Sequence, residues 1–430
     1  MAGAISALTL PRGARTALPL IVVLCCAAAA LVLLLPIAAS IPWWLLALPA
    51  LGFILIRVVT PDAAELDEAL WPLVAAACTL GVLAIARLDP KLGDHQAIWI
   101  AVGLGIIVAG QRLLREYRRL VHVKYTWVVA SIALFALLQF FGTEVNGARL
   151  WFSFGSFEVQ PVEIVKIFMV FLMAAYLTEN GAAIGALAPT DLVSNLRLLG
   201  PLVLGWGASI VTLVMQRDVG EAFLFLGIFL VMLYVASRRL DLVAVAVVVF
   251  AIGAWFVASH FGYVQTRLAV WQDPWSDPLG RGYQAEQALF ALANGGLFGA
   301  GYHLGHPGFI PDAPTDYVYA AWGEEFGVAG ALALLALYLA LVVRGIRIAF
   351  YASDRFSSLL AIGFAATIGI QVFVIVGGVL GLLPLTGITL PFFSYGGSSM
   401  VVNLVMVDLL WLFSRREGQP TAGAKVASTG

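Results

Sequence analysis

The chain has 430 residues, of which 61% are hydrophobic and 11% are charged, and its net charge at pH 7 is -1. Soluble domains carry roughly a quarter charged residues, so this composition excludes an ordinary soluble protein and indicates one whose main solvent is lipid. No basic face remains once the loops are assigned, which excludes a protein that binds nucleic acid.

Apolar stretches of membrane-spanning length recur along the whole chain. Each is predicted to be an α-helix, because unpaired backbone groups are not tolerated in hydrocarbon. The sequence therefore predicts an all-α integral membrane protein with about twelve transmembrane helices. The predicted spans are residues 17–39, 41–59, 70–87, 97–113, 126–142, 161–178, 196–215, 219–236, 241–261, 319–343, 357–379 and 389–413.

The distribution of basic residues predicts the orientation of these spans. With a cytoplasmic N-terminus, the inner segments hold 17 basic residues and the outer segments hold 6, while Lys166 falls within a helix. Cytoplasmic loops of membrane proteins are enriched in Lys and Arg, so this bias favours twelve spans with both termini in the cytoplasm.

One outer loop differs from the others. Residues 262–318 form a polar stretch of 57 residues that is rich in Pro and Gly. Loops of this length are usually functional or disordered. Its aromatic content is too high for a disordered linker, so we expect a folded cap on the outer membrane face. These aromatic residues include Trp271, Trp275, Tyr283, Phe290, Phe298 and Phe309.

Ionisable side chains at membrane depth are costly, so each is a candidate functional residue. Glu163 and Lys166 lie three residues apart on one predicted helix, where they can pair; a purely structural ion pair is the alternative. Arg149, in the loop before this helix, is equally compatible with an arginine that snorkels to the interface. Asp218 and Glu221 open the eighth span, where helix capping is the alternative to function.

Asp316 is the main candidate, because it follows Pro314-Thr315 at the predicted outer start of the tenth span. Glu324 and Glu325 lie further along the same helix, with Glu324 about 12 Å deeper than Asp316. By itself, a carboxylate at a helix start is most often a cap.

Glycine and cysteine residues give no sign of a cofactor. The segment 295–301, GGLFGAG, contains a Gly-x-Gly, but no strand precedes it in an all-helical protein, so we exclude a nucleotide cofactor. Cys25, Cys26 and Cys78 lie in apolar stretches with neither metal-ligand nor disulfide spacing, and no dedicated metal motif is found.

Several segments, taken together and in order, resemble the SEDS family (shape, elongation, division and sporulation), which includes RodA and FtsW. They extend from about residue 140 to 400, and several in the right order are far more specific than any one alone. Arg217 departs from the family pattern, in which proline follows the glutamine. The segments are GARLWFSFGSFEVQPVEIVK (147–166), QRDVG (216–220), DPWSDPLGRGYQ (273–284), ANGGLFGAG (293–301), PDAPTDYVYAAWGEEFG (311–327) and GLLPLTGITLPFFSYGGSS (381–399).

This resemblance implies a peptidoglycan glycan-strand polymerase in the bacterial inner membrane. The implied substrates are lipid II and a nascent glycan strand, both carried on undecaprenyl pyrophosphate. The 4-hydroxyl of an incoming GlcNAc would attack the anomeric carbon of the strand's terminal MurNAc. No nucleotide is needed, because the pyrophosphate–sugar bond supplies the energy.

The resemblance also implies roles for individual residues. Asp316 matches the family's essential aspartate and is the expected catalytic base. A divalent cation, Mg²⁺ or Mn²⁺, between carboxylates and pyrophosphate is compatible with the preference of such ions for oxygen ligands. The expected substrate-binding residues are Arg149, Lys166, Glu163, Asp218, Arg267 and Arg281. Structural or accessory roles are expected for Gln160, Glu324, Glu325, Ser394, Gly396 and Gly397.

Family members typically have ten spans, so residues 1–69 are predicted to form two additional N-terminal helices, similar to those of longer actinobacterial RodA-like proteins. Residues 70–414 would be the polymerase core, and 415–430 a disordered cytoplasmic tail. By resemblance, the expected partner is a class B penicillin-binding protein, a transpeptidase.

Two alternatives remain open from the sequence. A flippase that moves lipid II across the membrane would also have many spans, buried charges and an outer cap. A non-catalytic scaffold of the elongation or division complex would need none of the predicted catalytic residues.

Overall fold

The computed structural model describes residues 43–60, 66–145, 148–155, 157–187 and 192–415. These residues form a helical bundle with one small antiparallel sheet. The helices are α1 (Trp43–Val59), α2 (Leu70–Leu88), α3 (Pro90–Arg115), α4 (Lys124–Phe141), α5 (Pro161–Gly185), α6 (Leu192–Met215), α7 (Val219–Ser237), α8 (Leu240–His260), α9 (Gly262–Gln272), α10 (Tyr283–Gly295), α11 (Val318–Tyr351), α12 (Arg355–Val379) and α13 (Gly397–Phe413).

The helices support the predicted membrane fold. Within the described ranges, nine helices are long and apolar enough to cross a membrane, and two shorter apolar helices cover Leu48–Val59 and Gly397–Phe413. These correspond to eleven of the predicted spans. The predicted span 17–39 and the predicted tail after Arg415 lie outside the described residues.

The prediction that residues 389–413 form one continuous helix is wrong, because α13 begins only at Gly397. The preceding residues form an irregular segment whose polar groups are bonded inside the protein. The Tyr395 amide donates to the Pro314 carbonyl (2.8 Å), and Gln96 donates to the Ser394 carbonyl (3.0 Å). Irregular backbone is tolerated at membrane depth when protein surrounds it, and the sequence pattern alone does not show this.

The short outer loop predicted between α4 and α5 is a three-stranded antiparallel ribbon. Its strands are β1 (Thr143–Val145), β2 (Ala148–Phe154) and β3 (Phe157–Val159). Arg149 lies opposite Glu144 in the β1–β2 pairing.

The expectation that residues 262–318 are folded is confirmed, because this segment contains α9, α10 and short 3₁₀ turns. Its glycine-rich part packs against a break in α11 at Gly327, where φ is +66°. The Ala300 and Gly301 amides donate to the carbonyls of Glu324 and Glu325 (2.9 and 3.1 Å), which satisfies groups freed by the break.

The bundle has two ends. We call the end that holds Pro161, Asp218 and Asp316 the site end. At the opposite end, Asp67 joins the α1–α2 connection to α11 and α13: Arg344 lies 2.7 Å from its carboxylate, and the Trp411 indole donates to its carbonyl (2.7 Å).

Candidate active site

The first turns of α5 place two charged side chains inside the bundle. Pro161 occupies the first helical turn, where its missing N–H costs nothing. Lys166 Nζ lies 2.9 Å from Glu163 Oε2, so the predicted pairing is confirmed. Both side chains are almost fully buried, and the lysine has no exposed surface.

A second carboxylate, from α7, completes this cluster. Glu221 Oε1 lies 3.5 Å from Lys166 Nζ, and Glu221 is as buried as Glu163. Asp218 caps α7, because its carboxylate accepts from the Glu221 amide at 3.1 Å. Asp218 is therefore a helix cap, as the capping alternative predicts, whereas the Glu221 side chain is buried in the core. Burial raises the pKa of Asp218, while the Glu221 amide and Arg267 lower it.

Asp316 lies in the turn immediately before α11. The N-cap position belongs to Tyr317, and no side chain caps this helix, so the interpretation of Asp316 as a cap is wrong. Burial, together with the nearby Asp312, raises the pKa of Asp316 to about 6, against the opposing effects of a Thr315 hydrogen bond and the Arg267 charge. A carboxyl with this pKa is largely ionised at neutral pH but readily accepts a proton.

The irregular segment 386–389 connects Asp316 with the buried cluster. Arg267 donates to the Thr386 carbonyl at 3.0 Å. A methyl group on Gly387 would lie 3.7 Å from Asp316 Oδ2 and 3.9 Å from Arg267 Nη2, so this glycine borders both side chains.

The other end of the segment reaches Lys166 through Gln371. The Gln371 amide nitrogen donates to the Thr389 carbonyl (2.8 Å), and its amide oxygen lies 3.5 Å from Lys166 Nζ. On the α7 side, a methyl group on Gly220 would lie 2.7 Å from the Thr386 carbonyl, so only glycine permits this approach. Asp316, Arg267 and Gly220 therefore border one segment, and Gln371 links the same segment to the Lys166 cluster.

Other predicted site residues lie away from this group. Arg149, on β2, donates to the carbonyl of Gln139 on α4 (2.7 Å), and its guanidinium lies 3.4 Å from the Glu144 carboxylate. Arg281 is exposed in the loop between α9 and α10. Glu325 is paired with Arg87 of α2 at 2.9 Å, while Glu324 is buried beside Gly305.

The predicted accessory residues hold the site end together. The backbone amide of Gln160 donates to Ser398 Oγ (2.8 Å), and this hydrogen bond joins the start of α5 to α13. Ser394 Oγ accepts from the Leu390 amide (3.0 Å) and supports the irregular segment. Methyl groups on Gly396 and Gly397 would lie 2.9 Å from Thr389 and 2.1 Å from the Trp99 ring, respectively.

Gln371, Gly387 and Arg87 are not among the site residues predicted from the sequence. Gln371 and Arg87 are polar residues within apolar stretches, which is the signal that would have found them. Gly387 has φ of +76°, a conformation that favours glycine, but composition does not reveal it.

Among the residues that the structure describes, no group of three or more His, Cys, Asp or Glu side chains can hold a metal ion. The expectation of Mg²⁺ or Mn²⁺ stays a prediction.

Comparison with known proteins gives consistent matches. Residues 70–419 match the family model described as a cell cycle protein of the FtsW, RodA and SpoVE type. The peptidoglycan glycosyltransferase RodA of Mycobacterium tuberculosis is 36% identical over 370 residues, which cover 82% of this chain and 79% of that protein.

Two solved structures are also similar. One chain, from a study of how a peptidoglycan synthase complex coordinates polymerization and crosslinking, has a TM-score of 0.67 and 31% identity over 83% of this chain and 99% of its own. Crystalline RodA of Thermus thermophilus has a TM-score of 0.61 and 30% identity, over 83% of this chain and 100% of its own.

Proposed function

This chain belongs to the FtsW/RodA/SpoVE family and is a peptidoglycan glycosyltransferase, and we propose that it polymerises lipid II at a site centred on Asp316. The oxygen of the GlcNAc 4-hydroxyl bonds to the anomeric carbon of the strand's terminal MurNAc. The bond from that carbon to the pyrophosphate oxygen breaks, and undecaprenyl pyrophosphate leaves with the electron pair. The hydroxyl proton passes to a base.

Asp316 is the proposed base. A general base works best when its pKa lies near the working pH, and burial raises the pKa of Asp316 to about 6. Its carboxylate also lies at the start of α11 rather than deep within it, so sugar hydroxyls can approach from the site end. The observation that carries the proposal is that the Asp316 carboxyl and the Arg267 guanidinium both border the segment 386–389.

Cationic side chains are proposed to hold the leaving pyrophosphate. Arg267 borders Gly387 together with Asp316 and has a guanidinium suited to phosphate oxygens. Arg149 and Arg281 are exposed and can reach a substrate from the ribbon and the loop. Lys166 is already balanced by Glu163 and Glu221, so we propose that it acts on the site mainly by fixing α5 against α7 and Gln371.

The membrane orientation follows from the same proposal. The site end would face the extracytoplasmic side, where lipid II is polymerised, and both termini would be cytoplasmic. A class B penicillin-binding protein is the proposed partner, because crosslinking of new strands is a transpeptidase reaction. The similar chain of the peptidoglycan synthase complex supports this proposal.

Polymerisation of labelled lipid II by the purified full-length chain tests the function. Asp316→Asn should reduce strand synthesis at least 100-fold, as expected for loss of a general base. Binding of lipid II should be retained, because the side chain keeps its shape. Strand synthesis by Asp316→Asn at the wild-type rate would contradict the proposal.

Two further measurements separate the alternatives. A flippase would move lipid II across a proteoliposome membrane without making polymer. A scaffold would support growth of cells with Asp316→Asn as the only copy, at normal protein levels. Either outcome would replace the polymerase assignment of this site.

A further inference from the structure

An apolar groove lies between α4, α5 and α6, apart from the Asp316 group. Its volume is about 220 Å³, and its walls include Val128, Phe135 and Gln139 of α4, Met169 of α5 and Gly205 of α6. The groove opens sideways, because Ile132 on its rim is exposed.

The length of the groove matches one leaflet of a bilayer. Its lining on α4 extends from Val128 to Gln139, which is about 16 Å at 1.5 Å per residue. This is roughly half of the ~30 Å hydrocarbon core. Because α4 runs toward the site end, Gln139 marks the mouth at that end and Val128 the inner limit.

Small residues on α6 create the space, and its hydroxyls are turned away from a ligand. A methyl group on Gly205 would lie 3.5 Å from Leu172 and 3.7 Å from Val128, so a larger side chain there would enter the groove. Ser209 and Thr212 donate to the carbonyls one turn earlier on their own helix (3.2 and 2.9 Å). The wall therefore presents mostly hydrocarbon.

A positive charge stands at the mouth. Arg149 donates to the carbonyl of Gln139, which itself lines the groove. Its other contact is Glu144 at 3.4 Å, and both side chains are substantially exposed, so this ion pair is weak and the guanidinium can turn to a phosphate. An apolar channel one leaflet deep beneath an arginine is complementary to a lipid with an anionic head group.

We propose that this groove holds the part of the polyprenyl chain nearest the head group of a lipid-linked pyrophosphate substrate, with Arg149 at that head group. This inference depends on the proposed function for the identity of the lipid. It also connects with the site through α5, because Met169 in the groove lies one turn from Lys166 in the buried cluster.

Photolabelling tests the groove without requiring turnover. The wild-type full-length chain in nanodiscs is irradiated with undecaprenyl pyrophosphate that carries a diazirine in its chain, and the labelled peptides are identified by mass spectrometry. Labels should fall within 128–139 and 205–212, and unlabelled undecaprenyl phosphate should compete with them. Labelling elsewhere, or equal competition by phosphatidylglycerol, would overturn the proposal; the latter outcome would indicate a general phospholipid site.

A matched pair of variants tests the contribution to catalysis. Gly205→Phe fills the groove, whereas Gly207→Phe adds the same ring on the same helix where nothing lies within 4 Å of the added Cβ. Gly205→Phe should raise KM for full-length lipid II about tenfold. It should leave KM unchanged for an analogue with a single isoprene unit, which is too short to reach Gly205, about 10 Å from Thr212 along α6. Gly207→Phe should match wild type with both substrates.

The two hypotheses fail differently. If wild type makes no polymer but the groove is labelled, the proposed function is wrong and the lipid site stands. If wild type polymerises lipid II while Gly205→Phe, with an unchanged thermal midpoint, keeps the wild-type KM, the groove inference is wrong and the function stands.

Discussion

Lys166 Nζ lies 3.5 Å from Glu221 Oε1, and this contact joins α5 to α7 at a depth where neither side chain reaches solvent. With Glu163, the lysine has two carboxylate neighbours. Loss of the lysine should destabilise this cluster more than loss of either acid, because Glu163 and Glu221 would then repel each other in a low-dielectric interior.

Lys166→Met should therefore destabilise the folded protein by about 3–5 kcal/mol, as expected when one member of a buried ionic group is removed. Thermal unfolding in detergent, followed by tryptophan fluorescence, measures this. Arg119→Met is the matched control, because Arg119 forms an exposed pair with Glu116; it should change stability little. Equal effects of the two substitutions would contradict this account of the cluster.

The activity should depend on pH through Asp316. A base must be ionised to accept a proton, so kcat/KM for lipid II should rise with pH through about 6 and level off above it. The rate should fall about tenfold per pH unit well below that value. A profile that is flat between pH 5 and 7 would argue against Asp316 as the base.

The raised pKa of Asp316 also predicts an effect on stability. The folded carboxyl binds its proton more tightly than the unfolded one, whose pKa is near 3.8, so stability falls as pH rises from about 4 to about 6. Asp316→Asn should thus stabilise the protein at pH 7 by up to about 3 kcal/mol while it removes activity. Asp94→Asn, at an exposed carboxylate of α3, is the control and should do neither.

Removal of the Arg267 charge should move the pH profile. The guanidinium lowers the pKa of Asp316, so Arg267→Met should shift the midpoint of kcat/KM to higher pH. Arg267→Lys keeps the charge, so its midpoint should lie closer to wild type than that of Arg267→Met. Its activity should recover less, because lysine lacks the forked geometry of the guanidinium. An unshifted midpoint in Arg267→Met would show that the two groups are not electrostatically coupled.

Substitution of Gly387 by Ala should reduce activity because of the glycine's position beside Asp316 and Arg267 as well as its positive φ angle. Gly387 and Gly381 have similar positive φ angles, +76° and +71°, so Ala at either position strains the backbone by a similar amount. Only at Gly387 would the methyl group contact Asp316 and Arg267. Gly387→Ala should reduce kcat/KM more than Gly381→Ala at equal thermal midpoints, and equal activities would contradict this.

Much of the fold follows from local properties of the sequence. Apolar length determines spans in a bilayer, because each backbone group must bond within its own helix, and the pairing of Glu163 with Lys166 follows from helical spacing alone. Ordered motifs identified the family and selected Asp316. These features depend on residues close together in the chain.

Tertiary packing decided the rest. The break in α11 at Gly327, the late start of α13 and the contact of segment 386–389 with both Asp316 and Gln371 depend on groups more than a dozen residues apart. The same holds for Glu221, which the sequence could place at a helix start but not beside Lys166. Burial and partners at such distances determine pKa and charge balance, and only the folded chain specifies them.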